Sequence, residues 1–189
     1  MKQRLGTLNS RFGAAPLMRT MGGLLVPAHA IGIWNLKAFS PEGDVLLEDE
    51  WENLVTTQGK NSILNTQFHA TTQLTTWYLG LISATPTPAA GDTHASHSGW
   101  TEVTAYSESV RQTYVENAAS SGSIDNVGSV ATFTINADST SIGGALISSV
   151  STKNSSSGAD ILYAVGAFSG GNVTLNNGST LQLTATFTV

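Results

Sequence analysis

At 189 residues and 40% apolar content, the chain is long enough for one sizeable core, or for a domain with an arm. Without cysteine it has no thiol nucleophile, no disulfide frame and no thiolate metal site. Only 11% of residues are charged, and the excess of Gly, Ser, Thr and Asn suits many short strands joined by tight turns.

The net charge of −5 is unevenly distributed. Lys2, Arg4, Arg11, Arg19 and Lys37 are five of the 8 basic residues, and no acid precedes Glu42. After residue 40, three basic residues face 13 acids, a balance of −10. This pattern describes a basic leading segment on an acidic body. Nucleic acid is not expected as a partner, because phosphate binding calls for clustered Lys and Arg, and these are spread thinly. An acidic protein surface suits the segment better.

Residues 1–30 place Gly or Pro every few positions among large apolar residues, and neither a helical nor a strand period emerges. The start "MKQR" and the stretch "PAHA" imitate the ends of a secretory leader. Between them no apolar run approaches the required length of about 7–15 residues, and no run approaches the ~18 of a membrane span. We therefore read residues 1–30 as a retained, extended arm that lies on another surface, with Lys2, Arg4, Leu8, Arg11, Phe12, Leu17 and Arg19 as its contact residues.

Residues 31–189 read as one domain. "IGIWNLKAF" and "DVLLEDEWENLV" flank Ser40–Asp44, where Pro41 and Gly43 occupy turn positions, and predict a hairpin. "TTQGKNSILNTQFHA" predicts one short helix over about 57–69, capped by Thr56 or Thr57, with Ile63, Leu64 and Phe68 on one side. His69, at its end, suits a capping or partly buried role. "TTWYLGLIS" predicts a buried strand, and residues 84–100 a long surface loop. Further strands are expected at "WTEVTAY", around Val110 to Val115, at "GSVATFTIN", at "GGALIS" with a bulge or close backbone approach, and at "ILYAVGAFS". "GGNVTLNNGST" predicts a hairpin tip on Asn177-Gly178. "LQLTATFTV" then alternates strictly. About eight to ten strands with one helix and no βα alternation predict an all-β, antiparallel β-sandwich. Trp77, Leu79, Phe133, Ile135, Phe168 and Phe187 are the expected core.

Candidate chemistry is sparse. Asp92, His94 and His97 fall within six positions, but zinc needs three or four ligands with a supporting shell, and the loop offers three at most. No metal or other cofactor is expected there. No nucleophile elbow or phosphate loop occurs. The carboxylates Glu48, Asp49, Glu50 and Glu52 alternate faces along a strand, so they form a solvated acidic edge and not a glycosidase pair. No enzymatic activity is expected.

The stretches "NLVTTQGKNSILNTQF", "TTWYLGLIS", "GDTHASHSGWTEVTAYSESVRQTYV" and "GSTLQLTATFTV", spread over residues 50–189, together resemble a group of small structural proteins of tailed phages. The matching positions are Asn53, Val55, Gly59, Trp77–Ile82, Asp92–Glu102 and the last strands. The resemblance implies a jelly-roll-like β-sandwich of the capsid decoration, or cement, type. Such a protein would sit on the virion, outside the capsid, with the major capsid protein as partner and further copies of itself as a dimer or trimer, and with no membrane partner. It also implies that Asp92, His97 and Trp100 brace a signature loop, with His94 as its more variable member. The alternative is a tail or head-fibre sandwich that binds a host-surface glycan or another virion protein. Against a glycan site, Trp34, Trp51, Trp77 and Trp100 mostly occupy strand-like positions consistent with core.

Overall fold

The computed structural model describes residues 18–21, 24–27, 31–83 and 86–189. The arm contacts Lys2, Arg4, Leu8, Arg11, Phe12 and Leu17 lie outside these residues. Arg19 lies in β1 (Met18–Met21), which pairs antiparallel with β2 (Leu24–Pro27), Arg19 standing opposite Val26.

Residues 31–189 form a compact unit of their own, an antiparallel β-sandwich. In one sheet, β3 (Ile31–Phe39) lies between β4 (Val45–Val55) and β14 (Thr180–Thr188). The far edge of β14 is shared by two short strands, β9 (Ala131–Thr134) and β8 (Ser123–Asp125). Where the edge passes from one to the other, buried Asn126 substitutes for backbone. Its Oδ1 accepts from Ala185 N at 2.7 Å, and its Nδ2 donates to the Leu183 carbonyl at 3.3 Å. In the other sheet, β5 (Trp77–Ser83), β11 (Gly144–Ser148) and β12 (Leu162–Ala167) lie side by side. The outer edge of β5 is again shared, by β6 (Thr101–Val103) and β7 (Gln112–Tyr114). β4 joins the two sheets, because Leu54 and Val55 pair with Val165 and Ala164 of β12. A separate pair, β10 (Thr140–Ile142) and β13 (Val173–Leu175), completes the described strands.

Strand period sets the core. Trp34, Leu36 and Ala38 of β3 and Leu181, Leu183, Ala185 and Phe187 of β14 alternate inward and are buried. Each large side chain among them contributes about 1.5–3 kcal/mol. Leu79, Leu81, Ala145 and Ala164 of the other sheet are likewise buried and share one face of it. Edge-to-face aromatic pairs cross the interior: Tyr163–Phe187, Tyr114–Phe187, Tyr106–Phe133 and Trp51–Phe168. The β5–β11–β12 sheet is covered on its outer face as well, where Ile82, Leu146, Leu162 and Val165 cluster with Trp100. A bulge at Ile147/Ser148 lets Leu162 join that outer cluster while Tyr163 reaches the inner one.

Of the expected core residues, Leu79, Phe133, Ile135, Phe168 and Phe187 are buried, but Trp77 is only half-buried. Among the described residues twelve strands follow residue 30 where eight to ten were expected, because several edge strands are three residues long. Asn177-Gly178 does form a turn, with Gly178 at φ +86°. The expected hairpin does not form there: β13 pairs with β10, and β14 with β3, β8 and β9.

α1 (Thr57–Phe68) forms close to the expected 57–69. Thr56 caps it, its Oγ1 accepting from Gly59 N at 3.0 Å. The contact with the sandwich is made by Gly59, the helix's buried residue, and not by a Leu/Phe stripe. Ile63 is half-buried, Leu64 is 53% exposed and Phe68 85% exposed. A Cβ on Gly59 would lie 2.3 Å from the Tyr163 carbonyl oxygen, so only glycine lets the helix sit this close to β12. Thr56 N and Leu162 N fix the seat further, donating to the Tyr163 carbonyl at 3.0 Å and to Gln58 Oε1 at 3.1 Å.

Candidate functional site

The loop that precedes β6 folds over the outer face of the β5–β11–β12 sheet. It puts Asp92, His94, His97 and Trp100 to separate uses. Buried Asp92 accepts through Oδ2 from the Trp100 indole N–H at 3.1 Å and from Ala89 N at 3.0 Å. His97 stacks on the Trp100 ring, with centroids 3.6 Å apart. His94 turns inward and is the most buried of the four, its Nε2 lying 2.8 Å from Ser148 Oγ. The three candidate ligands thus do not converge, and among the described residues no group of three or more His, Asp or Glu is placed to hold a metal. In this loop His94 is an inward anchor.

Beneath the loop lies a polar cluster that the sequence did not disclose. Arg111 is fully buried and grips Glu102 through two bonds of 2.7 Å. Arg111 Nη1 also donates to Ser148 Oγ at 2.9 Å and to the Val150 carbonyl at 2.8 Å. Ser148 Oγ accepts from Arg111 and from Val150 N at 3.2 Å, which leaves its own hydrogen for His94. His94 Nε2 is then the acceptor, and the ring carries its proton on Nδ1. Burial, then the Arg111 charge, hold the His94 pKa down to about 4. Ser148 beside His94 imitates a nucleophile and its base, but Ser148 is 0% exposed. Its oxygen is already engaged by a guanidinium, so the pair ties loop to sheet and offers nothing to a substrate.

An accessible concavity lies elsewhere. α1 and residues 73–75 wall a recess of about 270 Å³ at the open end of the sandwich, over Trp77, Tyr114, Tyr163 and Phe187. Trp77 and Tyr163 are half-buried and meet edge to face at 5.2 Å. The Tyr114 hydroxyl donates inward to the Ala185 carbonyl at 3.1 Å, so that ring presents carbon to the recess. Ser62, Thr66, Gln67 and Gln73 add neutral polar groups, and Glu116 is the charged side chain of the lining. No protein-family model matches this chain, and a comparison with curated proteins found no similar chain.

The acidic strand behaves in two ways. Glu48, Glu50 and Glu52 are exposed along the edge of β4, with Lys37 pairing Glu48 at 3.0 Å. Asp49 points the other way and accepts from Ser169 N at 2.8 Å, holding the turn after β12. Among the described residues no helix is long and apolar enough to cross a membrane. Sequence reasoning missed the recess because the inward parity of Trp77 says nothing about whether a strand continues opposite it. The Arg111–Glu102 pair was missed because each residue lies on a short edge strand or beside one.

Proposed function

We propose that this protein is a structural component of a tailed-phage virion that binds the outside of the capsid and clamps neighbouring capsid subunits, without catalysis. The geometric observation that carries the reading is the pair Leu64 and Phe68. They stand one turn apart, exposed, on a helix that Thr56, Gln58 and Gly59 fix to the sandwich. A rigid element that presents large apolar groups to solvent has the form of a docking surface whose ordering entropy has already been spent in folding. Val45 and Leu46, exposed at the tip of the β3–β4 hairpin, offer further apolar contact. The basic, apolar leading segment supplies a strap of opposite charge sign to the body, and the phage-like stretches of the sequence point to a shell as the partner. Each copy that spans a junction adds its binding free energy to the shell, and many copies multiply the effect.

The test is co-sedimentation with empty capsids of the full chain, of Leu64→Ser/Phe68→Ser, and of a chain lacking residues 1–28. The double variant should keep its melting temperature, because both side chains are exposed, and lose about tenfold or more in affinity, about 1.4 kcal/mol. The truncation should fold, bind more weakly, and lose affinity less steeply as salt is added. Failure of the full chain to bind shells, or unchanged binding by both variants, would overturn the proposal.

A further inference from the structure

The geometry points to a second, separate property: the recess between α1 and the open end of the sandwich binds one neutral or N-acetylated hexose unit of an oligosaccharide. This goes beyond the shell-binding reading and stands without it. At about 270 Å³ the recess falls below the ~300–1,000 Å³ typical of drug-sized ligands, a size suited to one sugar ring and not to a buried chain.

Its chemistry is divided as a pyranose is divided. Trp77 and Tyr163 leave part of their rings open at a mutual tilt of 61°, an apolar surface for the C–H face of a sugar. Around them stand Thr66, Gln67 and Gln73. Each amide both donates and accepts, as a vicinal pair of hydroxyls does, so such a rim can satisfy hydroxyls without placing a charge in the site. Glu116 can accept from a hydroxyl or an acetamido N–H, and it repels a ligand carboxylate. The site therefore discriminates against uronic and sialic acids. Its aromatic wall stands on β5, β7, β12 and β14, and the helical part of the opposite wall is anchored through Thr56 and Gln58. A partner peptide with large apolar side chains would use the aromatic floor and leave the amide rim unpaired, so a sugar fits better.

The full chain is titrated with free neutral hexoses, N-acetylhexosamines and acidic sugars, followed by tryptophan fluorescence and by the Trp77 indole N–H signal. Trp34, Trp51 and Trp100 are buried and serve as internal references. At least one neutral or N-acetylated sugar should bind with a Kd of about 1–10 mM, weakened about tenfold in Trp77→Ala. Because Trp77→Ala could loosen the core, Gln67→Ala and Gln73→Ala, both at exposed positions, should weaken binding with the melting temperature unchanged. Glu116→Gln should admit acidic sugars. The proposal falls if no sugar moves the Trp77 signal, if only acidic sugars bind, or if binding survives the glutamine variants. It also falls if a synthetic peptide of residues 1–17 moves that signal and no sugar does.

Discussion

Replacing Gly59 by Ala separates helix propensity from packing. In an isolated helix the change stabilises by about 1 kcal/mol. Here the added Cβ would stand 2.3 Å from the Tyr163 carbonyl oxygen and 3.0 Å from its carbonyl carbon and Cα. Ordinary contact begins at 3.4 Å, so about 1 Å of separation must be found. β12 cannot supply it alone, being paired to β11 and held by β4. The helix must lift, and lifting stretches the bonds from Thr56 N to the Tyr163 carbonyl and from Leu162 N to Gln58. Overpacking costs about 1–3 kcal/mol and each buried hydrogen bond left unmade about 1–3 kcal/mol. Against the propensity gain, the net loss is about 2–4 kcal/mol. In urea denaturation, with a slope of about 1–3 kcal/mol per molar, the midpoint should fall by roughly 1–2 M. Asn61→Ala, at an exposed site on the same helix, should raise it slightly. A Gly59→Ala midpoint that is unmoved or raised would refute the seating of α1 on β12.

Glu102→Ala should cost about 3–5 kcal/mol, because it leaves the buried Arg111 guanidinium unpaired; a loss under about 1 kcal/mol in the same denaturation assay would contradict the pair. Phe187→Ala should cost about 3–5 kcal/mol, toward the lower end because the side chain borders the recess and water can enter the space it vacates. His94 gives a pH signature with a definite sign. Its folded pKa of about 4 lies below the ordinary 6.5, so the unfolded chain takes up the proton first. Its contribution is complete above about pH 6.5 and is lost as the pH falls toward 4, on the order of 3 kcal/mol in all. Stability measured across that window should decline in the wild type and decline less in His94→Gln; equal slopes would remove His94 as the cause.

The sequence disclosed most where period and burial coincide. β14 reads Leu181, Leu183, Ala185, Phe187 at spacing two, and all four are buried. The Ser40–Asp44 turn and the Thr56 cap were legible because a single local hydrogen-bond pattern decides each. Where partners are distant in the chain, local signals misled. Ile63, Leu64 and Phe68 share a side of the helix, but which side packs is decided by the close approach of Gly59, and Leu64 and Phe68 face solvent. The tip at Asn177-Gly178 turns as its residues dictate, yet the choice of β10 for β13 is made by the sandwich and not by the turn. In the loop, Asp92, His94 and His97 announced polar chemistry correctly but not its direction. That depended on Ser148, 54 residues from His94.

The strand shared between the sheets also sets how force passes through the protein. A pull on the exposed tip at Val45 and Leu46 loads the long β3–β4 ladder lengthwise, so that its many bonds resist in shear together. The same pull reaches the second sheet through the joint where Leu54 and Val55 pair with β12, and through Asp49, which accepts from Ser169 N just after that strand. α1 begins immediately beyond that joint and is itself bonded to Leu162 and Tyr163 of β12. The helix thus acts as a rivet at that seam, held to β12 by Thr56, Gln58 and Gly59.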